Sequence, residues 1–130
     1  MTYGVGTMYK ILDHTSDLEI LVEADTFEKM VEDSIMAVSQ FVAENLKETE
    51  IKEIEVQGKS DEEMLMEALE EIVYLQSAEN FYILKVEATF DETLKMILYG
   101  GKGEVINEIK AITWHDFWIK GNQAHFICDL

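Results

Sequence analysis

The chain of 130 residues predicts an α+β fold, an antiparallel or mixed sheet with two helices packed on it, in the order β-β-α-β-α-β-β-β-β. Three observations predict it. Most strand-like segments meet at short turns of hairpin type. Two segments carry apolar residues at the three-and-four spacing of a helix. The helices do not alternate one for one with the strands, as a doubly wound parallel sheet would require. No linker, repeat or low-complexity stretch interrupts the chain. A single domain over 1–130 is expected, with residues 1–8 flexible.

Each element has a local reason. "MYKILD" and "LEILVEA" read as strands flanking the polar bend Asp13-His14-Thr15-Ser16-Asp17. In the second, Leu18, Ile20, Val22 and Ala24 share a face, opposite Glu19 and Glu23. Asp25 or Thr26 then caps a helix in which Phe27, Met30, Val31, Ile35, Val38, Phe41 and Val42 form one stripe. "IKEIEVQ" is a short alternating strand. Ser60 and Glu63 form a capping box that opens a second helix, with Leu65, Ala68, Leu69, Ile72 and Val73 on one face. Its acidic first turn suits the helix dipole. "FYILKVEATF" and "ETLKMILYG" turn around Asp91, and "EIKAITWHDFWIK" and "QAHFICDL" turn around Gly121-Asn122. Gly100, Gly101 and Gly103 mark a mobile loop between those hairpins.

Charge narrows the functional classes. The formal net charge is −17, and all ten basic residues are lysines. A chain so acidic, without arginine, has little general attraction for phosphate backbones, so strong direct nucleic-acid binding is not expected. The acids crowd the first 79 residues. They read either as solvated helix faces or as a field that steers toward a basic partner. The single cysteine excludes an internal disulfide and suits a reducing compartment. No apolar run approaches the roughly 20 residues of a membrane span, and the N-terminus lacks the pattern of a signal peptide. A cytoplasmic protein with no membrane partner is expected.

Several chemistries are disfavoured. Cys128 alternates with Ala124, Phe126 and Leu130, so it reads as a small core hydrophobe rather than a nucleophile. "YGGKGE" lacks the spacing of a phosphate loop. His14, His115 and His125 are scattered, and no zinc motif occurs. A hard-cation site has more support. Asp13 and Asp17 straddle one bend, and the chain closes on Asp129-Leu130, which adds a side-chain carboxylate and an α-carboxylate. If that last strand lies beside the bend, their oxygens meet, and a bound cation makes the meeting favourable. The competing reading is a turn in which Asp13 and Asp17 accept local hydrogen bonds.

"DHTSDLEI" resembles the N-terminal signature of the archease family, usually close to DHTAD followed by an apolar strand. "EIKAITWHDFWI" is similar to that family's later VKAxTYH-like block, "LEEIVYLQSAEN" to its middle block, and the Asp-Leu ending to its usual close. The blocks occur in family order from about Tyr9 to Leu130. Trp114 stands where tyrosine is usual, and the segment after "YGG" is shorter than in many members, where a longer loop carries another histidine.

The resemblance implies a function. Archeases are protein cofactors of the RtcB-type RNA ligase of tRNA splicing; they promote its guanylylation and multiple turnover without being the ligase. A non-enzyme with that ligase as partner is therefore expected. The family also implies a divalent cation, calcium in family members, with magnesium or manganese as alternatives. Ligands carried over by position are Asp17, Asp129 and Leu130, with Asp13 as an outer or alternative ligand. His14 would orient the bend, and Lys110 falls on a lysine linked to ligase activation. Two readings stand beside this one: a metal-dependent phosphoester hydrolase, and a chaperone-like interaction module.

Overall fold

The computed structural model describes residues 9–12 and 17–130. Strands β1 (Tyr9–Leu12) and β2 (Asp17–Glu23) precede helix α1 (Phe27–Val42). A two-residue strand β3 (Ala43–Glu44) and strand β4 (Glu50–Val56) lead to helix α2 (Asp61–Glu79). The rest is extended: β5 (Tyr82–Phe90), β6 (Leu94–Gly101), the short β7 (Glu104–Val105), β8 (Ala111–Lys120) and β9 (Gln123–Asp129). The expected order stands, and the β3–β7 bridge is added to it.

Every strand pair is antiparallel, and the strands divide between sheets. Among the described residues, one has the order β1-β2-β9-β8, a second β4-β6-β5, and β3 pairs only with β7. Both larger sheets and both helices feed one core. Ile20, Phe126 and Cys128 meet Ile35 and Val38 of α1, Leu65, Leu69 and Ile72 of α2, and Ile83, Leu94 and Leu98 of the second sheet in the same buried cluster. The two-residue period of β2 buries Leu18, Ile20 and Val22 and leaves Asp17, Glu19 and Glu23 on the other face.

The helix termini are closed by short-range chemistry. Thr26 caps α1, its Oγ1 accepting from the Lys29 amide at 3.1 Å. Ser60 Oγ accepts from the Glu63 amide at 3.2 Å, while Glu63 reaches back to the Lys59 amide at 2.6 Å. A cap of this kind is worth about 1 kcal/mol. Asn80, left-handed at φ 51°, ends α2, and the Phe81 amide returns to the Leu75 carbonyl at 3.1 Å. α1 has no such residue at its end. Its last carbonyls are taken from outside: the Ile106 amide donates to Val42 O at 2.8 Å, and Asn107 Nδ2 to Phe41 O at 3.0 Å.

Edge strand β5 is also guarded by α1. The Ala88 amide donates to Glu32 Oε2 at 2.8 Å, and Ser39 Oγ both donates to Ile83 O and accepts from the Ile83 amide. Side chains thus occupy groups that would otherwise template another strand. The glycines expected in a mobile loop have a different role. Gly100 and Gly101 close β6 as paired strand residues, where a Cβ would collide with the Tyr82 carbonyl or with Lys47 O. Close backbone approach, not mobility, requires them.

Candidate functional site

β2 and β9 pair over their full length, from Asp17↔Asp129 to Glu23↔Gln123. Leu18 and Cys128, one step in, are buried in the core, so alternation places Asp17 and Asp129 together on the opposite face. Directly opposed residues have Cβ atoms about 5 Å apart, and like charges so placed repel. Asp17 is half-buried, and Asp129 and Leu130 are exposed. The first residues of the other edge strand close the corner. Ala111 pairs with Asp129, and the Lys110 amide donates to Asp129 O at 2.8 Å. The Lys110 side chain lines a hollow of about 180 Å³ with Glu70, Val73 and Tyr74 of α2.

The buried thiol between the two acids registers their field. Burial pushes Cys128 well above the usual thiol range, and the Asp129 and Asp17 carboxylates add to that shift. A thiol held protonated in this way is a core group and not a nucleophile.

The structure therefore brings together Asp17, Asp129 and the Lys110 backbone, from three distant parts of the chain. Asp13 and His14 lie outside the described residues. Among the described residues no three carboxylate, imidazole or thiolate side chains converge to hold a metal ion. Asp17 and Asp129 supply two carboxylates, and the donor chemistry there is all oxygen, which fits a hard cation such as calcium or magnesium and does not fit zinc.

A second feature of this sheet escaped the strand pattern. From Thr113↔Ile127 to Trp118↔His125 the chain takes five steps along β8 and two along β9. Trp114-His115-Asp116-Phe117 therefore forms a bulge, with Asp116 left-handed at φ 53°. His125 pins it. Its Nδ1 donates to the Asp116 carbonyl at 2.6 Å, its Nε2 meets Glu19 Oε1 at 2.6 Å, and its ring stacks on Trp118. Both ring nitrogens are thus engaged, one by the bulge and one by β2. Trp114 packs edge-on against Phe117 and is 56% exposed. Among the described residues no helix is long and apolar enough to cross a membrane.

Comparison with known proteins agrees with this architecture. Protein archease of Thermoplasma volcanium is 29% identical, over 94% of this chain and 98% of that protein. Protein archease of Pyrococcus furiosus is 32% identical, over 83% of this chain and 84% of its own length. The solution structure of Methanobacterium thermoautotrophicum protein 1598 superposes with a TM-score of 0.71 at 18% identity, covering 94% of this chain and 98% of that one. A crystal structure from Thermotoga maritima, described as an archease and possible chaperone, gives a TM-score of 0.66 at 18% identity, over 92% and 94% of the two chains. At that identity the two structures speak for the fold. The model of the Archease protein family matches residues 9–130, and the chain belongs to that family.

Proposed function

We propose that this protein is an accessory factor of an RtcB-type RNA ligase in tRNA processing, acting through a divalent cation held at the Asp17–Asp129 corner. One observation carries the reading beyond family membership: the register that sets two carboxylates against each other at the end of the β2–β9 ladder. Repulsion between them weakens that end of the ladder, and a cation reverses its sign.

In this reading Asp17, Asp129 and the α-carboxylate of Leu130 hold the ion, with Asp13 as a further ligand and His14 orienting the bend. Calcium is the expected occupant, with magnesium or manganese as alternatives. When bound, the cation supplies a positive centre able to meet phosphate or carboxylate oxygens of the partner. The chain's own residues do the rest. The Lys110 amide fixes the Asp129 backbone, and its ammonium, at the β8–α2 boundary, offers a charge to a phosphate group of the ligase complex. The net charge of −17 speeds encounter with a basic cleft at low salt.

Ligation of excess RNA by the cognate ligase, with and without this protein, tests the reading. Repeated turnover only in its presence is the expected result; equal yields overturn it. Extending the chain beyond Leu130 with a tag should weaken calcium binding in calorimetry, and unchanged affinity removes the α-carboxylate from the site. The description of the Thermotoga maritima relative favours a second reading, a chaperone-like interaction module. Suppression of aggregation that is insensitive to chelator, with no effect on ligation, would select it.

A further inference from the structure

The second half of α2 borders a hollow of about 260 Å³, which the segment from Val105 to Ile109 closes on the other side. Val42, Val73, Tyr82 and Ile109 make its walls apolar. The size falls just under the roughly 300 Å³ at which small-molecule pockets begin, which leaves room for one side chain and little more. The far wall is held in place from below. The Ile106 and Asn107 amides both donate to Val42 O, and Asn107 Nδ2 donates to Phe41 O. The hollow is therefore preformed.

Gln76 lines this hollow and is only 5% exposed. Its Nε2 is sealed from solvent and meets no acceptor among the described residues. Its Oε1 accepts no hydrogen bond from them either, yet it is not sealed, so it fronts the hollow. A half-turn about the last torsion exchanges the two atoms, so the amide can offer the hollow a donor or an acceptor. Leaving a buried donor unpaired is costly, and an occupant that pairs with it recovers that cost. No contact inside the protein uses this amide.

The surroundings indicate what kind of occupant fits. Tyr74, Val105 and Ile106 stand about half-exposed beside the hollow, an apolar rim of the sort that marks a protein contact. The hollow on the Lys110 side shares Val73 with this one, so a groove runs along α2. The charge in the deeper hollow is the Glu108 carboxylate, on a chain of net charge −17. That field repels an anion and draws in a cation.

We propose that this groove docks an extended, basic peptide segment of a protein partner. An apolar side chain of the segment fills the hollow, and a neighbouring lysine or arginine meets Glu108. The peptide backbone pairs with the Gln76 amide, since each peptide group carries the donor and the acceptor that Gln76 lacks. The site needs neither a cation at the Asp17–Asp129 corner nor the ligase, so it stands or falls separately from the proposed function.

Titration of the whole protein with a capped lysine-leucine-lysine tripeptide, followed by NMR at constant ionic strength, tests the proposal. Saturable shifts are expected at Val73, Val105 and Ile109 and at the side-chain amide of Gln76. Peptides with serine for leucine, or glutamate for both lysines, should bind at least severalfold more weakly. Gln76→Met should weaken binding roughly three- to tenfold while the free protein melts at an unchanged or higher temperature. A glutamine that serves packing alone would show the reverse, a lower melting temperature with unchanged binding. Glu108→Gln should weaken binding severalfold and leave the fold intact. Unsaturable shifts over every acidic face, or affinities unchanged in both variants, overturn the proposal. Should Gln76→Met fail to fold, Glu108→Gln and Val105→Asp decide. A concentration-dependent dimer that Val105→Asp disperses would assign the groove to a second copy of the chain and overturn the peptide occupant.

Discussion

The two larger sheets solve the same packing problem by different routes. The β4-β6-β5 sheet lies wholly within residues 50–101: β5 and β6 are joined by the Asp91 turn, β4 returns to β6 across α2, and α1 clasps the outer edge of β5. The β1-β2-β9-β8 sheet joins the two ends of the chain, places like charges opposite each other and carries a bulge with a left-handed aspartate. Apart from one extra residue at Leu84, the first sheet keeps its register throughout and serves as scaffold. The second departs from local rules at Asp17–Asp129 and at Trp114–Phe117, and such departures concentrate where a protein does its work.

Variants that strike one sheet and spare the other sharpen the contrast. The largest effect is expected from Phe126→Ala, which empties a fully buried position of β9. It should cost about 3–5 kcal/mol in urea unfolding. Because the sheets share one core, the transition should remain single; a biphasic curve would separate them. Gly100→Ala strikes the scaffold sheet, driving a methyl group against the Tyr82 carbonyl. About 1–3 kcal/mol should be lost, by the usual cost of overpacking.

Cys128 provides a test of pH. Its thiol is raised by burial and by Asp129 and Asp17, so below the ordinary thiol value both folded and unfolded states keep the proton and stability is unaffected. Above that value only the unfolded chain ionises, and stability falls by roughly 1 kcal/mol per pH unit. The slope should vanish in Cys128→Ala compared with the parent; parallel profiles would mean that the thiol titrates normally. The smallest effect on folding is expected from Asp17→Asn, which removes one of two opposed carboxylates and should change the stability of the cation-free protein by no more than about 1 kcal/mol. It should abolish any rise in melting temperature with calcium, and an undiminished rise would take Asp17 out of the site.

Much of this was legible in the sequence, for identifiable reasons. Periods of two and of three-to-four residues placed the long elements, because burial imposes those periods on each strand and helix. The Thr26 and Ser60 caps were legible because their chemistry spans three residues. The Asp17–Asp129 meeting could be stated from the residues only as a condition, that the last strand lie beside the bend, and the family resemblance supplied the residues, since no local signal connects strands so far apart. The Trp114–Phe117 bulge was hidden, because "EIKAITWHDFWIK" keeps an apolar texture throughout and only the β9 register reveals the surplus residues. Gly100 and Gly101 misled because glycine serves loops and tight contacts alike. Asp33 gave no signal in the sequence, and only the packed structure shows how deeply its carboxylate is buried.

The partnership of β2 with β9 also has a consequence for biosynthesis. A growing chain can complete the hairpin of β5 and β6 before β8 and β9 are translated, whereas the acid corner waits for β9. A product truncated within β9 would therefore emerge with a recognisable half and a missing corner, its unpaired β2 edge open to quality-control machinery.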